Sequence, residues 1–338
     1  MSIKKWPGAV VSDTPVVPAG NYQNSAASGV WTLDQVAYWT KQGLWPVAGN
    51  VAPTGLFAGG YSNVIASIVI SSTGTSSDFG DMLTAEGVGI GGCASTTRGV
   101  FAGGLKNSAT QNVIQYVTIS SAGNATDFGD LTIGREGVGA CSNSTKGVFA
   151  GGDSSSGRLN TIDYIAIAST GNATDYGDLT VGREYASGCS SPTRGVFSGG
   201  TNDSGVLTNV IDYITIASTG NATDFGDTVT VTSQTSSCSS STKGLIAGGY
   251  NAGYATVNTI QYITIASTGN TTDFGDLTTT SGAGAACSSP TIGIFAIGSS
   301  TNVLNSITIA TTGNATDFGD LTTNVSAIGA CSNVHGGL

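Results

Sequence analysis

The stretch GVGACSNSTKGVFAGGDSSSGRLNTIDYIAIASTGNATDYGDLT, residues 137–180, decides the fold. It breaks into four strand-like pieces. Gly137 to Ser142 is a run of small residues around Cys141, and Gly147-Val148-Phe149-Ala150 is short and apolar. Thr161 to Ile167 alternates with β-branched residues, and Ala173 to Thr180 closes the unit. Between them lie Ser-Asn-Ser-Thr-Lys, a polar stretch and Ser-Thr-Gly-Asn, all of which is turn chemistry. No stretch here carries a helical stripe.

The unit recurs. Gly-Val-Phe-Ala-Gly-Gly or a close variant begins at Gly55, Gly99, Gly147, Gly195, Gly244 and Gly293, at intervals of 44, 48, 48, 49 and 49. Asp-Phe/Tyr-Gly-Asp begins at Asp78, Asp127, Asp175, Asp224, Asp273 and Asp317. Cys93, Cys141, Cys189, Cys238, Cys287 and Cys331 keep step. Four strands in such a period make a blade of a β-propeller. The first unit, at Gly55, lacks a preceding Cys strand, and Val325 to Ser332 supplies a Cys strand with nothing after it. The expected fold is therefore all-β: a six-bladed propeller of four-stranded blades over residues 51–338, its C-terminal strand completing blade one.

Composition agrees. Gly makes up 51 of 338 residues, charged residues are 9% and Met numbers 2, which excludes helical bundles and doubly wound α/β enzymes. The net charge of −10 arises from 21 acidic residues, twelve of them in the repeated Asp motif. With no basic patch, nucleic acid is not an expected partner. No run is long and apolar enough for a membrane span, and no signal-peptide pattern follows Lys4 and Lys5, so export by the secretory route is not expected.

The glycine pairs Gly59-Gly60, Gly103-Gly104, Gly151-Gly152, Gly199-Gly200 and Gly248-Gly249, with Tyr116, Tyr164, Tyr213 and Tyr262 further on, resemble kelch-type repeats. The sixth unit departs from that pattern with Ile297-Gly298, and aromatic residues such as Phe128 and Tyr176 stand where kelch repeats carry Trp. The glycine-rich strand before Gly-Val-Phe is also similar to chromosome-condensation-regulator propellers.

Residues 1–50 differ in kind, holding all four tryptophans, Trp6, Trp31, Trp39 and Trp45. Thr32-Leu33-Asp34-Gln35 reads as a capped start of one short helix that ends near Gly43. Such a helix needs a partner: the propeller, a second copy in a homo-oligomer, or another protein. Residues 27–34 and Gly43-Leu44-Trp45-Pro46 resemble a stretch found in structural proteins of tailed bacteriophages. The resemblance implies a virion protein of tail fibre, appendage or capsid surface. Its tryptophan-rich segment would dock on other virion proteins, and its propeller would meet a host-surface glycan or protein.

Candidate chemistry is sparse. The paired Asp of each repeat read as turn acceptors around an inter-blade aromatic, with Ca²⁺ the competing reading. The cysteines read as small buried fillers, too far apart for disulfides. Asn124, Asn172, Asn221, Asn270 and Asn314 read as turn residues, and His335 as exposed. No catalytic residue, metal site or cofactor is expected. The turns after the first and third strands are uniform between units, whereas those after the second differ and share a face with the blade connections. Loops on a rigid scaffold are where recognition sits. That places the expected binding residues at Lys106, Arg158, Asp203, Tyr250, Asn251 and Tyr254. A carbohydrate-active enzyme would instead use Arg135, Glu136, Arg183 and Glu184, and a kelch-type intracellular adaptor would bind a protein through the same face.

Overall fold

In the computed structural model, which describes residues 52–338 apart from 61, 87 and 327, the chain winds through six four-stranded antiparallel sheets. Blade 3 runs from the axis outward as Gly139–Ser142, Lys146–Ala150, Thr161–Ala166 and Thr174–Asp178. The innermost strands of the other blades are Gly91–Ala94, Ser187–Ser190, Ser236–Ser239, Ala285–Ser288 and, in blade 1, Ile328–Ser332. That last strand pairs antiparallel with Thr54–Gly59, Leu56 opposite Cys331, so the ring closes as the repeat arithmetic requires. No helix occurs among the described residues. The expected short helix and the four docking tryptophans fall on residues 1–50, outside the described residues.

The core lies between blades. Val100, Ile114 and Phe128 of blade 2 pack with Phe149, Ile165 and Ile167 of blade 3, and equivalent clusters recur around the ring. Each fully buried Phe contributes about 1.5–3 kcal/mol relative to an exposed one.

The Asp-Phe/Tyr-Gly-Asp motif is a β-bulge. Ile162 faces Gly177 and Asp163 faces Asp175, which leaves Tyr176 unpaired in the ladder. The bulge turns the aromatic inward, edge-on to Tyr164 with ring centroids 5.9 Å apart. Gly177 sits at φ 145°, and a β-carbon there would meet the Gly220 carbonyl oxygen of the next blade at 2.5 Å. Asn221 of that same turn accepts the Asp178 N–H at 3.1 Å. Equivalent bonds join Asn124 to Asp81, Asn172 to Asp130, Asn270 to Asp227 and Asn314 to Asp276. The asparagines are thus turn residues that also clamp the preceding blade.

The cysteines work the same way nearer the axis. A β-carbon built on Gly147 would lie 2.7 Å from Cys93 Sγ, one on Gly195 2.6 Å from Cys141 Sγ, and one on Gly244 2.7 Å from Cys189 Sγ. Each thiol fills the space that the next blade's glycine leaves. All six are buried and unbridged. Burial pushes the Cys189 and Cys331 thiols up to about 12, so they stay protonated and inert.

Candidate functional site

The two ends of the ring differ. At one end the connections between blades pair with the variable turns: Arg183–Glu184 with Thr201–Asn202, and Thr232–Ser233 with Tyr250–Asn251. This puts the individualised segments of consecutive blades side by side. Between them Arg158, Glu184, Tyr185, Thr201, Leu207, Gln234, Tyr250 and Tyr254 line a groove of about 310 Å³. That volume stands at the lower edge of the ~300–1,000 Å³ of small-molecule sites.

Three of the six expected binding residues meet there. Arg158 donates from Nε and Nη2 to Glu184 Oε1 at 2.8 and 2.5 Å, and from Nη1 to the Asn202 carbonyl at 2.7 Å. Tyr250 flanks Gly282, whose absent β-carbon leaves room for the ring. Tyr254 caps the Asn251–Ala255 turn at φ 57° and is 80% exposed. The other three do not line the groove: Asp203 and Asn251 bond residues of its wall and rim, and Lys106 lies in another blade. Asp203 accepts the Arg158 backbone N–H at 2.8 Å. Asn251 Oδ1 accepts the N–H groups of Gly253 and Ala255, shaping the turn that presents Tyr254. Lys106 belongs to the blade-2 hairpin Leu105–Lys106/Ala109–Thr110.

Sequence reasoning missed Tyr185 and Gln234. Four residues before five of the six cysteines, the chain takes a left-handed turn: Gly89, Gly137, Tyr185, Gln234 and Ala283 all have φ between 54° and 74°. Glycine adopts this without penalty, whereas a side chain there costs about 1–2 kcal/mol. The repeat spacing made this visible, because Tyr and Gln stand where the other units have Gly or Ala. Both side chains line the groove and also a smaller cavity of about 100 Å³ at the mouth of the axis. Strain of this kind concentrates at functional positions. Tyr185 also donates from its hydroxyl to Glu136 Oε2 at 3.4 Å. Burial, reinforced for Glu136 by the neighbouring Glu184, raises both carboxyl groups above the usual range; hydrogen bonds from Tyr185 and Arg158 oppose the rise.

Arg135 and Arg183 correct the reading that set them beside Glu136 and Glu184 as sugar-gripping groups. Both are fully buried, paired at 2.9 Å with Asp163 and Asp212. Each carboxylate also accepts the backbone N–H of the preceding blade, from Thr132 or Thr180. They bind blade to blade and are turned away from solvent.

His335 is likewise not exposed. It crosses the opposite end of the axis, where Nε2 lies 2.9 Å from the Ala94 carbonyl and 3.2 Å from Ser142 Oγ. Nδ1 accepts the Gly337 N–H, which fixes the neutral ring with its proton on Nε2. Burial lowers its pKa, against the hydrogen bond to Ala94. A chain of serine hydroxyls circles the axis just inside: Ser332 donates to the Ser288 carbonyl, Ser288 to Ser239, Ser239 to Ser190, Ser190 to Ser142 and Ser142 to Ala94. Gly336 N–H reaches the Ser239 carbonyl, so the tail plugs this end.

Among the described residues no three His, Cys, Asp or Glu side chains cluster in a way that would hold a metal ion, and no helix is long and apolar enough to cross a membrane. No known family model matches the chain, and no curated protein matches it.

Proposed function

We propose that the chain is a non-enzymatic recognition protein of a tailed-phage particle, a tail fibre, appendage or capsid-surface component. In this reading residues 1–50 dock on other virion proteins through Trp6, Trp31, Trp39 and Trp45, and the propeller presents its groove to a host-surface ligand. The observation that carries the recognition role is the groove itself. On a ring otherwise built from near-identical blades, side chains from three successive units converge at one place, with Tyr185 and Gln234 kept in a conformation that favours glycine. The virion placement is supported by the resemblance of residues 27–46, and the kelch-like assignment by the Gly-Gly and Tyr positions of the repeats. Against a sugar-cleaving role stands the commitment of Arg135 and Arg183 to buried carboxylates.

The test uses full-length chain and a Tyr250→Ala/Tyr254→Ala variant, each fluorescently labelled and applied to host cells. Binding by the wild type and its loss in the variant supports recognition through the groove; equal binding refutes it. Deleting residues 1–46 tests docking separately: incorporation of the shortened chain into particles at normal level refutes the anchor role. A glycan-hydrolysis screen on the purified chain decides the enzyme alternative.

A further inference from the structure

We infer that the groove takes an uncharged saccharide and rejects sugars that carry a carboxylate. This rests on the recognition reading above and adds the charge class of the ligand.

The shape and lining fit a sugar ring. Tyr254, 80% exposed on a turn braced by two hydrogen bonds to Asn251, offers an apolar face with little conformational freedom to lose. Tyr250 and Leu207 add apolar lining, while Thr201, Gln234 and the Glu184 carboxylate supply donors and acceptors. Polar groups set among aromatic and apolar lining are how small polar ligands are oriented. The volume, about 310 Å³, suits a short oligosaccharide segment better than a protein surface.

The charges decide which sugar. Arg158 is the one cation in the lining, and it is spent: Nε and Nη2 on Glu184, Nη1 on the Asn202 carbonyl. The neighbouring arginines Arg135 and Arg183 are fully buried on Asp163 and Asp212. Glu184 lies in the wall with Glu136 behind it, and Asp203 stands beside Arg158. An incoming carboxylate would meet these acids with no uncommitted guanidinium to receive it. A hydroxyl group, by contrast, donates to Glu184 and accepts from the Gln234 amide without disturbing the ion pair.

Saturation-transfer difference NMR and calorimetric titration of the full chain would test this. The first panel is neutral (maltose, cellobiose, lactose, N-acetyllactosamine, chitobiose, mannobiose) and the second acidic (sialyllactose, digalacturonate, a glucuronate disaccharide). The expected result is transfer from tyrosine protons to at least one neutral sugar, roughly tenfold weaker binding in Tyr254→Ala, and none to the acidic panel. In Glu184→Gln, which releases Arg158, binding of an acidic sugar should appear. Tyr254-dependent binding of an acidic sugar by the wild type overturns the charge inference and leaves recognition standing. Failure of every neutral sugar, with cell binding still abolished by Tyr250→Ala/Tyr254→Ala, overturns the saccharide assignment alone. Loss of neither cell nor sugar binding in that variant overturns the groove as a recognition site.

Discussion

Gly195→Ala separates inter-blade fit from backbone preference. Gly195 is not in the left-handed region, so alanine is compatible with its backbone and should reduce the entropy of the unfolded chain, by about 0.4–1 kcal/mol in favour of folding. The new β-carbon, however, would stand 2.6 Å from Cys141 Sγ, with Ile214 Cγ1 next at 3.1 Å. Overpacking of this kind costs about 1–3 kcal/mol, so net of that gain the substitution should destabilise by about 1–2 kcal/mol. Cys141→Ala alone removes one buried sulfur and should cost about 1 kcal/mol plus a small cavity penalty. Combined, the alanine methyl at 195 occupies the space the sulfur vacates, and the double variant should lie within about 1 kcal/mol of wild type. The coupling, about 2 kcal/mol, is read from a double-mutant cycle of urea-unfolding midpoints followed by far-UV circular dichroism. Additivity within about 0.5 kcal/mol would refute the fitting of thiol into glycine between blades.

Asp163→Asn should destabilise by about 3–5 kcal/mol, because it leaves the buried Arg135 guanidinium without its counter-ion. Arg135→Thr/Asp163→Gln, which copies the Thr232 and Gln261 of the next such junction but one, should recover most of that loss in the same unfolding assay. Ala94→Ser should complete the hydroxyl circle by donating to the Ser332 carbonyl, raising stability by about 0.5–1.5 kcal/mol; an unchanged or lower thermal midpoint counts against the ladder. His335 gives a pH dependence with a definite sign. Its folded pKa is depressed, so its contribution is present above the ordinary value of about 6.5 and is lost as pH falls through the folded pKa. Comparing wild type with His335→Gln from pH 8 to 5 should show the difference in stability shrinking on acidification. Gln234→Gly should hold or raise stability, by up to about 1 kcal/mol in thermal unfolding, while weakening binding in the groove.

The ring could be read from the sequence because each repeat states its own boundaries. Lys146–Ala150 and Thr161–Ala166 fall within a residue of the apolar and alternating runs that mark them. The separation of a uniform end from a varied one was legible for the same reason, and it led to Arg158, Tyr250 and Tyr254. What the linear text hid were pairings between successive units. Cys141 meets Gly195, and Arg135 meets Asp163, only once two blades are laid side by side. A trace of the second pairing does exist in the repeats. Six residues before the cysteine stand Arg135 and Arg183, and the third strands that follow answer with Asp163 and Asp212; where Thr232 and Ser281 replace the arginines, Gln261 and Asn305 replace the aspartates and bond Thr230 and Thr278 instead. His335 was misplaced because nothing in its local sequence reports that the tail crosses the axis.

The joining of Ile328–Ser332 to Thr54–Gly59 sets the order of events during synthesis. Blade 1 is made with an unmatched inner edge that waits until the five following blades have been made, the longest-range strand pairing among the described residues. Throughout that interval the waiting edge accepts the closing strand of any other copy equally well. Crowded nascent chains would thereby be linked head to tail into open concatemers, so dilution or rapid completion of the chain favours the single closed circle.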